Sequence, residues 1–592
     1  MAAVVFFDDE PPKEGEVVVA VDFGTSRTAY CWALIGNETE DIQVEQLSGG
    51  ISALDVKTPT SVLIDKDGVR GYGFLAEETY VNEREPDHDD WLLFKWFKMS
   101  LHNTQEEDPL VKSVCGKELP VSIVLQRALE FVRQRAIQTL LSKNILTSPD
   151  PFSVHWVLTL PAIWSDKAKT AMRRAAFRAG LIEREESSRL LLALEPECAA
   201  IASQCDRSQA NLFTAGSKFL MADCGGGTLD ITAHEVLNTA PLQLKELMVP
   251  AGGPHGAVQV DKNFFDFFAQ FWGVSRYEEM QTTFPNLILG LAKQWEEKKR
   301  LVFASPDSGA FMRFGEACQD MGVKPALFAQ LCENWNAENP ARPVIRKGKV
   351  GMTLTHDLVK SFFMQPVQDV VNKIDEVVAG VPEGVDRVLL AGGFANCTYL
   401  KTQLAERLEG RNLELVVGNH PDLLIVKGAA LFGARPMEVI PSRKCKYTVG
   451  VSALVQYDDR IHGAIKPPGG FVRLGGKTMF NIFSIHGRAG DDVRVDERTP
   501  TQWYRPESET DTSCEVEILC ARDNPRGNVI FADDAGVRTL AKFPIFFDMS
   551  KPPQERVIGV DFSFGKTEVC CYVKDRETGR ELHRIQPDFK IF

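Results

Sequence analysis

Short glycine turns in this chain carry the residue types that bind a phosphate chain and a metal ion. The stretch MADCGGGTLD (221–230) places three consecutive glycines between Asp223 and Asp230. Glycine costs backbone entropy on folding, but it lets successive backbone N–H groups converge on an anion that a side chain would keep away. Thr228 adds a hydroxyl donor, and the carboxylates suit Mg²⁺, which keeps most of its waters in proteins. The stretch predicts a phosphate and magnesium site that differs from a P-loop, since it lacks GxxxxGK[ST].

An earlier stretch, VVVAVDFGTSRTAYCWAL (17–34), repeats this order of residue types. In both stretches an apolar strand leads to an Asp, a glycine turn with hydroxyl residues and a second apolar strand, which predicts a β-hairpin. One such hairpin is an ordinary turn, whereas two copies predict a two-lobed molecule whose lobes present matching turns to one cleft. The carboxylates that would hold a hydrated Mg²⁺ against a polyphosphate there are Asp22, Asp223 and Asp230.

A third glycine element is DRVLLAGGFANCTYLKTQLAERLEG (386–410). It predicts a strand, a turn at Gly392-Gly393 and an amphipathic helix that ends at Gly410. A strand–turn–helix unit brings backbone groups and a helix N-terminus near a ligand, although two glycines after a strand are often only a tight turn. Together with the two hairpins, it predicts the nucleoside end of the same cleft.

Length and composition set the broad class. At 592 residues the chain exceeds one hydrophobic core, which predicts roughly three to five domains or subdomains. Its net charge of −14 argues against a general nucleic-acid binder. The sequence has no apolar run of about 18 residues, and its N-terminus lacks the basic region of a signal peptide. The 13 cysteines are scattered without metal-ligand spacing, as in reduced cytosolic proteins. We therefore expect a cytoplasmic protein without a membrane span.

On these motifs the chain resembles the actin/hexokinase/70-kDa heat-shock ATPase superfamily, and especially the 70-kDa heat-shock proteins. FLMADCGGGTLDITAHE resembles their second phosphate motif, and LLALEPECAAIAS (191–203) resembles their connecting-helix motif. Marks that resemble the divergent 12A/12B branch of that family are DFGTS, KTPTSVLID, FKMSLH, VLTLPAIW, GGPHGAVQVD, LLAGGFA and VKGAALFG. The resemblance implies an α/β, two-lobed actin-like ATPase fold with duplicated ribonuclease-H-like lobes, which binds ATP or ADP with Mg²⁺.

The resemblance also implies catalytic roles for single residues. Lys98 falls on the family's catalytic lysine, whose ammonium stabilises charge on the γ-phosphate and orients the attacking water; Lys95 is the alternative. Glu195 falls on the acidic residue that positions the waters of Mg²⁺, and Asp223 on the carboxylate near metal and nucleophilic water. Arg27 is bulkier than the small polar residue usual in the first loop and would narrow it. The two phosphate loops would consist of Gly24, Thr25 and Ser26, and of Gly225, Gly226, Gly227 and Thr228.

The adenosine end of the cleft follows from the same resemblance. The helix LAKQWEEKKRLVF (291–303) falls on the family's adenosine-contacting helix, although an exposed ion-paired helix would show the same charge pattern. Phe394 stands where typical members carry a polar residue, and it would either stack near the base or pack in the core. The residues implied as nucleoside contacts are Glu296, Lys299, Arg300, Gly392, Gly393 and Phe394. Asp422 falls on the last acidic position of the cleft and is also implied to bind the cofactor.

The C-terminal part changes character. Short alternating strands after Pro436 predict a β-rich domain that resembles the closing strands of the heat-shock substrate-binding sandwich, without a helical lid. The basic stretch SRKCK (442–446) stands near the place of an acidic linker, and it also permits a nuclear-localisation interpretation. ENWNAENPARP (333–343) is typical of a loop. The predicted divisions are a flexible N-terminal tail (1–15), lobe I (16–215), lobe II (216–385), the adenosine-loop segment with a helix returning to lobe I (386–436), and the β-rich domain (437–592).

Three functions are consistent with these features. The first is a chaperone-like ATPase that hydrolyses ATP slowly and couples nucleotide state to a protein client or partner, with co-chaperones possible. The second is a nucleotide-binding adaptor with little hydrolysis, whose β-domain docks one folded partner; the missing lid and altered linker favour it. The third is a small-molecule kinase, for which the sequence offers no sugar-site motif.

Overall fold

The structure of the protein is a computed structural model. It describes the following residues, and every structural statement below concerns these alone: 13–36, 42–47, 56–83, 90–102, 104, 106–205, 213–239, 242–299, 302–304, 308–315, 322–434, 440–458, 467–474, 476–494, 497–506, 508–522, 530–564 and 569–585.

The described α-helices are, in chain order, α1 (Phe74–Glu83), α2 (Val121–Ser142), α3 (Asp166–Arg178), α4 (Glu195–Cys205), α5 (Val258–Trp272), α6 (Val274–Thr283), α7 (Pro285–Lys299), α8 (Pro325–Glu338), α9 (His356–Gly380), α10 (Thr398–Glu409) and α11 (Leu424–Ala434). Single 3₁₀ turns span Phe97–Leu101, Pro151–Ser153, Val302–Ala304, Phe394–Asn396 and Pro553–Glu555.

The described strands are β1 (Val17–Phe23), β2 (Arg27–Leu34), β3 (Gln43–Glu45), β4 (Thr58–Pro59), β5 (Ser61–Asp65), β6 (Gly68–Tyr72), β7 (Leu92–Lys95), β8 (Leu110–Lys112), β9 (Glu118–Pro120), β10 (Val154–Leu160), β11 (Leu190–Leu194), β12 (Lys218–Cys224), β13 (Leu229–Thr239), β14 (Leu242–Glu246), β15 (Ala251–Gly253), β16 (Ala310–Arg313), β17 (Val344–Lys347), β18 (Gly351–Leu354), β19 (Arg387–Ala391), β20 (Glu414–Val417), β21 (Ser442–Lys444), β22 (Thr448–Gln456), β23 (Val472–Leu474), β24 (Lys477–Gly487), β25 (Asp492–Arg494), β26 (Gln502–Tyr504), β27 (Ser513–Ala521), β28 (Val537–Phe546), β29 (Ile558–Ser563), β30 (Cys570–Asp575) and β31 (Glu581–Ile585).

Two large sheets share one pairing pattern. Sheet I has the order β11-β10-β1-β2-β3, and sheet II begins with the order β20-β19-β12-β13-β14. In each sheet three parallel strands are followed by antiparallel pairing across a hairpin. The central strands, β1 and β12, are almost wholly buried. This agrees with the continuous apolar runs before each glycine turn, which are typical of strands covered on both faces. The hairpins therefore end at corresponding positions in the two sheets.

Helices α4 and α11 fill the space between sheets I and II. Their small residues, such as Ala199 and Ala429, share one buried cluster with Val18 of sheet I and Met221 of sheet II. Gly428 permits the closest approach, because a Cβ atom there would lie 1.7 Å from the Cys198 carbonyl oxygen. Small residues at this crossing thus set the separation of the two sheets.

The C-terminal strands form two further sheets that enclose their own core. Their orders are β23-β24-β22-β27-β28 and β26-β29-β30-β31. Val449 and Ile518 of the first sheet pack with Val560 and Val573 of the second. The described strands β21 and β25 instead extend the edge of sheet II, where Lys245 pairs with Ser442.

The prediction of a loop for ENWNAENPARP (333–343) is wrong over the first half of that stretch. The stretch Glu333–Glu338 is the end of helix α8, in which Trp335 and Cys332 are buried against the aromatic core beside sheet II. Its polar residues lie between these apolar anchors, so composition alone concealed a helical spacing.

Within the described residues, no helix is both long and apolar enough to cross a bilayer.

We expect Gly428→Ala to lower the free energy of unfolding by about 2 kcal/mol or more, because the new methyl group would overlap a backbone carbonyl that cannot move independently. Chemical denaturation measures this effect. The matched control is Gly380→Ala in α9, where a Cβ atom meets nothing within 4 Å. The control should be neutral or stabilising; equal loss in both variants would contradict the tight crossing.

Candidate functional site

A cavity of about 920 Å³ lies between sheets I and II and is lined by residues of both. Most of the predicted site residues line it: Asp22, Gly24, Thr25, Ser26, Lys98, Glu195, Asp223, Gly225, Gly226, Gly227, Thr228, Glu296, Lys299, Gly392, Gly393, Phe394 and Asp422. Asp230 is fully buried and pairs with Asp223 across the β12/β13 hairpin. Arg300 lies outside the described residues.

The two glycine turns approach each other at the floor of the cavity. A Cβ atom on Gly226 would lie 2.1 Å from the Ser26 hydroxyl oxygen, and one on Gly227 would lie 2.6 Å from that of Thr25. Side chains at these two glycines would therefore separate the turns. Their absence leaves backbone and hydroxyl groups of both hairpins facing one space, the arrangement that suits an anion.

The third glycine element closes over the second turn. Gly392 has φ +85°, and a Cβ atom there would lie 2.2 Å from Oδ1 of Asp223. Both the backbone conformation and the space therefore require glycine at this position. The Gly392-Gly393 turn thus lies directly beside a carboxylate of the cavity floor.

The two candidate lysines have different environments. Lys98 donates to Oε1 of Glu195 at 2.8 Å, its side chain is only 1% exposed, and its ammonium lies 5.0 Å from the centre of the Trp164 ring. Lys95 pairs instead with Glu77 of α1 at 2.8 Å, where both side chains are about one-fifth exposed. Of the two, only Lys98 contacts another predicted catalytic residue.

Burial dominates the electrostatics of the floor. It raises the pKa of Glu195 to about 7, although the Lys98 ammonium opposes the shift. Burial, with the neighbouring Glu195 and Asp230 carboxylates, raises the pKa of Asp223 well above its usual range. Among the described residues, Oδ1 of Asp223 and Oδ2 of Asp230 have no hydrogen-bond partner. Buried oxygens in this state favour the approach of a cation.

Sequence reasoning missed Lys57, whose ammonium contacts Oδ2 of Asp22 inside the cavity. The other oxygen, Oδ1, accepts a hydrogen bond from the Thr159 hydroxyl at 3.1 Å. Burial alone would lower the pKa of Lys57, but the carboxylates of Asp22, Asp422 and Asp223 outweigh it and raise that pKa. The only sequence signal was the motif KTPTSVLID, in which a lysine before a short strand is unremarkable.

At the far end of the cavity, helix α7 carries an ion-pair chain. Lys299 lies 2.6 Å from Oδ1 of Asp261 and 2.6 Å from Oε2 of Glu296. Arg27 of the first turn reaches the other Glu296 oxygen at 3.1 Å, so it spans the cavity instead of merely narrowing the loop. Phe394 is 4% exposed and belongs to the apolar core beside sheet II, where its ring packs.

The basic stretch Ser442–Lys446 is anchored beside the other side of α4. Arg443 donates to Oε2 of Glu197 at 2.7 Å, and both side chains are buried. The Lys446 ammonium donates to the carbonyl of Trp164 at 3.0 Å, and Trp164 is the residue whose ring lies beside Lys98. Short contacts thus connect this stretch with the cavity floor.

Comparison with known proteins confirms the resemblance inferred from the motifs. The chain is 28% identical to human heat shock 70 kDa protein 12B over 97% of this chain and 91% of that protein. It is 26% identical to mouse heat shock 70 kDa protein 12A over 98% and 93% of the two chains. It is 22% identical to chaperone protein DnaK 3 of a Synechococcus strain, over 70% of this chain and 57% of that one. No family model matches the chain.

The buried carboxyl group of Glu246, which accepts from the Lys444 backbone N–H at 2.7 Å, predicts a pH-dependent stability. Burial and the nearby Glu197 raise its pKa from 4.5 to about 8. The unfolded chain thus releases this proton first, so stability from this group is present below pH 4.5 and lost as pH rises to about 8.

We expect Glu246→Gln to flatten the decrease in unfolding free energy between about pH 5 and pH 8, because its amide cannot ionise. Denaturant titrations across this pH range measure the slope. Glu376→Gln, at a side chain that is 67% exposed, should keep the wild-type slope. An unchanged slope in Glu246→Gln would contradict the buried environment of that carboxyl group.

Proposed function

We propose that this relative of the 70-kDa heat-shock proteins is a nucleotide-switched ATPase with a two-lobed, actin-like fold. It binds ATP with Mg²⁺ between sheets I and II, hydrolyses it slowly, and couples nucleotide state to a protein partner held by the C-terminal sheets. The observation that carries the proposal is the approach of the two glycine turns within one cavity. Each turn ends a hairpin of a sheet with the same strand pattern, as expected for duplicated lobes.

The residues present fit a hydrated metal on a polyphosphate. Gly226 and Gly227 let the two turns approach each other more closely than side chains would allow, so that both turns line the cavity in which an anion would bind. Beside them, buried oxygens of Asp223 and Asp230 lack partners within the described chain. When bound, Mg²⁺ would neutralise charge on the β- and γ-phosphates. Asp22, Asp223 and Asp230 would hold it mainly through its waters.

The chain's own residues would divide the catalytic work. Lys98 places an ammonium at the floor of the cavity, where it would stabilise negative charge that develops on the transferred phosphoryl group. Glu195 fixes Lys98 and would order waters of the metal, while Asp223 would accept a hydrogen bond from the attacking water. Glu296 and Lys299 would face the nucleoside, with Gly392 and Gly393 giving it backbone contact.

The stretch Ser442–Lys446 is the proposed connection to the C-terminal sheets. It joins sheet II through β21, and its Arg443 pairs with Glu197, two residues from Glu195 on α4. A shift of α4 on nucleotide binding would therefore move Arg443 and the strands that follow. The same contacts would serve an adaptor that binds nucleotide without hydrolysing it, so turnover decides between the two functions.

Lys98→Met and Asp223→Asn should each lower steady-state ATP turnover by about 100-fold, because each removes a group placed at the reacting phosphate. Phosphate release from the purified protein measures this. Lys95→Met, which removes a lysine three positions away with a partly exposed partner, should retain turnover within about twofold. Unchanged turnover in both cavity variants would make the catalytic assignment wrong. ATP-dependent thermal stabilisation without turnover in the wild type would favour the adaptor.

Coupling predicts that ATP changes hydrogen exchange in β22–β31, and that Arg443→Met/Glu197→Gln abolishes this change while ATP still binds. The double variant removes both members of the pair, so it leaves neither of these two charges buried without its partner. Lys444→Met is the matched control, since its partly exposed pair with Asp492 at 2.8 Å contributes less than a buried pair. No exchange response to ATP in the wild type would contradict coupling while leaving nucleotide binding intact.

A further inference from the structure

The most unexpected charge in the cavity is the ammonium of Lys57. It lies on the carboxylate of Asp22 at the end of β1, and the two side chains are only 11% and 3% exposed. The turn Gly24–Ser26 begins two residues after Asp22, and all of these residues line the same cavity. A buried cation therefore lies beside the first of the two glycine turns that line the cavity.

Two features hold Lys57 in this place. Its backbone carbonyl accepts a hydrogen bond from Nη1 of Arg27 at 3.1 Å, and it directly precedes β4, which pairs with β2 at Thr28 and Thr58. The side chain thus starts from a backbone fixed against the first hairpin. Its ammonium interacts electrostatically with Asp422 and Asp223 as well as with Asp22.

The charge balance explains what such a cation would do. The carboxylates near the floor are Asp22, Glu195, Asp223, Asp230 and Asp422, whereas the lysines among them are Lys57 and Lys98. Glu195 already engages Lys98 at 2.8 Å. A polyphosphate that enters beside these carboxylates needs a cation on the side of the first turn, and Lys57 is placed to supply it.

We propose that Lys57 is a built-in counter-cation of the nucleotide site, which screens Asp22 from the phosphates and donates to them, so that nucleotide affinity depends only partly on Mg²⁺. This inference rests on the proposed nucleotide binding. It adds a residue that binds the polyphosphate directly. It also gives Asp22 two partners, the Lys57 ammonium and the hydrated metal.

The test is the affinity for ATP in saturating Mg²⁺ and in EDTA, measured by calorimetry. Wild type should bind in both conditions. Lys57→Met should weaken binding in EDTA about tenfold more than binding in Mg²⁺. The variant loses a charged hydrogen bond to phosphate in both conditions, but only in Mg²⁺ is a metal present to compensate for it. Lys57→Arg should restore most of the EDTA affinity. Lys169→Met removes another buried lysine paired with an aspartate, Asp166 at 3.1 Å, outside the cavity, and should match wild type.

Lys57→Gln separates charge from structure, because its amide can still donate to Asp22 but carries no charge. The proposal expects it to behave like Lys57→Met, whereas a purely structural role predicts wild-type affinities. Circular dichroism and thermal unfolding establish that each variant is folded.

Several outcomes overturn the inference while nucleotide binding stands. These are equal losses in Mg²⁺ and EDTA, unchanged affinity in the folded Lys57→Gln variant, or tighter binding in Lys57→Met, which would show that the ammonium competes with the metal. If the wild-type protein binds ATP in Mg²⁺ but not in EDTA, that measurement alone overturns the inference. No wild-type binding in either condition overturns the proposed function itself.

Discussion

The close approach of two glycine turns is the contact on which the cavity depends. Gly226 and Gly227 meet the hydroxyl residues Ser26 and Thr25 at distances that a Cβ atom could not share. Each turn is also the end of a central strand, so the contact fixes where sheets I and II meet. The Asp residue at the end of each central strand is then carried to the same floor. Glycine at these positions is thus a tertiary requirement as well as a local one.

Burial gives that floor its chemistry. The same low exposure that raises the pKa of Glu195 and Asp223 also strengthens any attraction between these carboxylates and a cation. Lys98 and Lys57 already benefit from this attraction, since each forms an ion pair with a buried carboxylate. A divalent cation would meet further buried oxygens on Asp223 and Asp230. The cavity therefore combines buried carboxylates that attract a cation with glycine turns that would accommodate an anion. A metal–polyphosphate complex would need both.

Sequence reasoning reached the hairpins and the strand–turn–helix element because each is encoded within about 30 residues by glycine position and apolar runs. It placed Lys98 and Glu195 together only through a family resemblance, since the two residues are 97 positions apart in the sequence. The pairings of Lys57 with Asp22 and of Arg27 with Glu296 were beyond it, because a lysine or arginine in sequence carries no mark of its distant partner. The end of α8 was missed for a related reason: its helical character comes from burial of Trp335, which composition does not show.

The basic stretch Ser442–Lys446 was puzzling as a sequence, and its burial supplies the physical reason for its charge. Glu197 is 1% exposed, and a carboxylate so placed requires a partner that stays charged, a role that arginine fills. Glu195 and Glu197 are two residues apart on α4, so they point to different sides of the helix. One side meets Lys98 in the cavity and the other meets Arg443 at the edge of sheet II. Since one helix turn carries both carboxylates, a movement of α4 would displace both ion pairs, which is the physical basis of the proposed coupling.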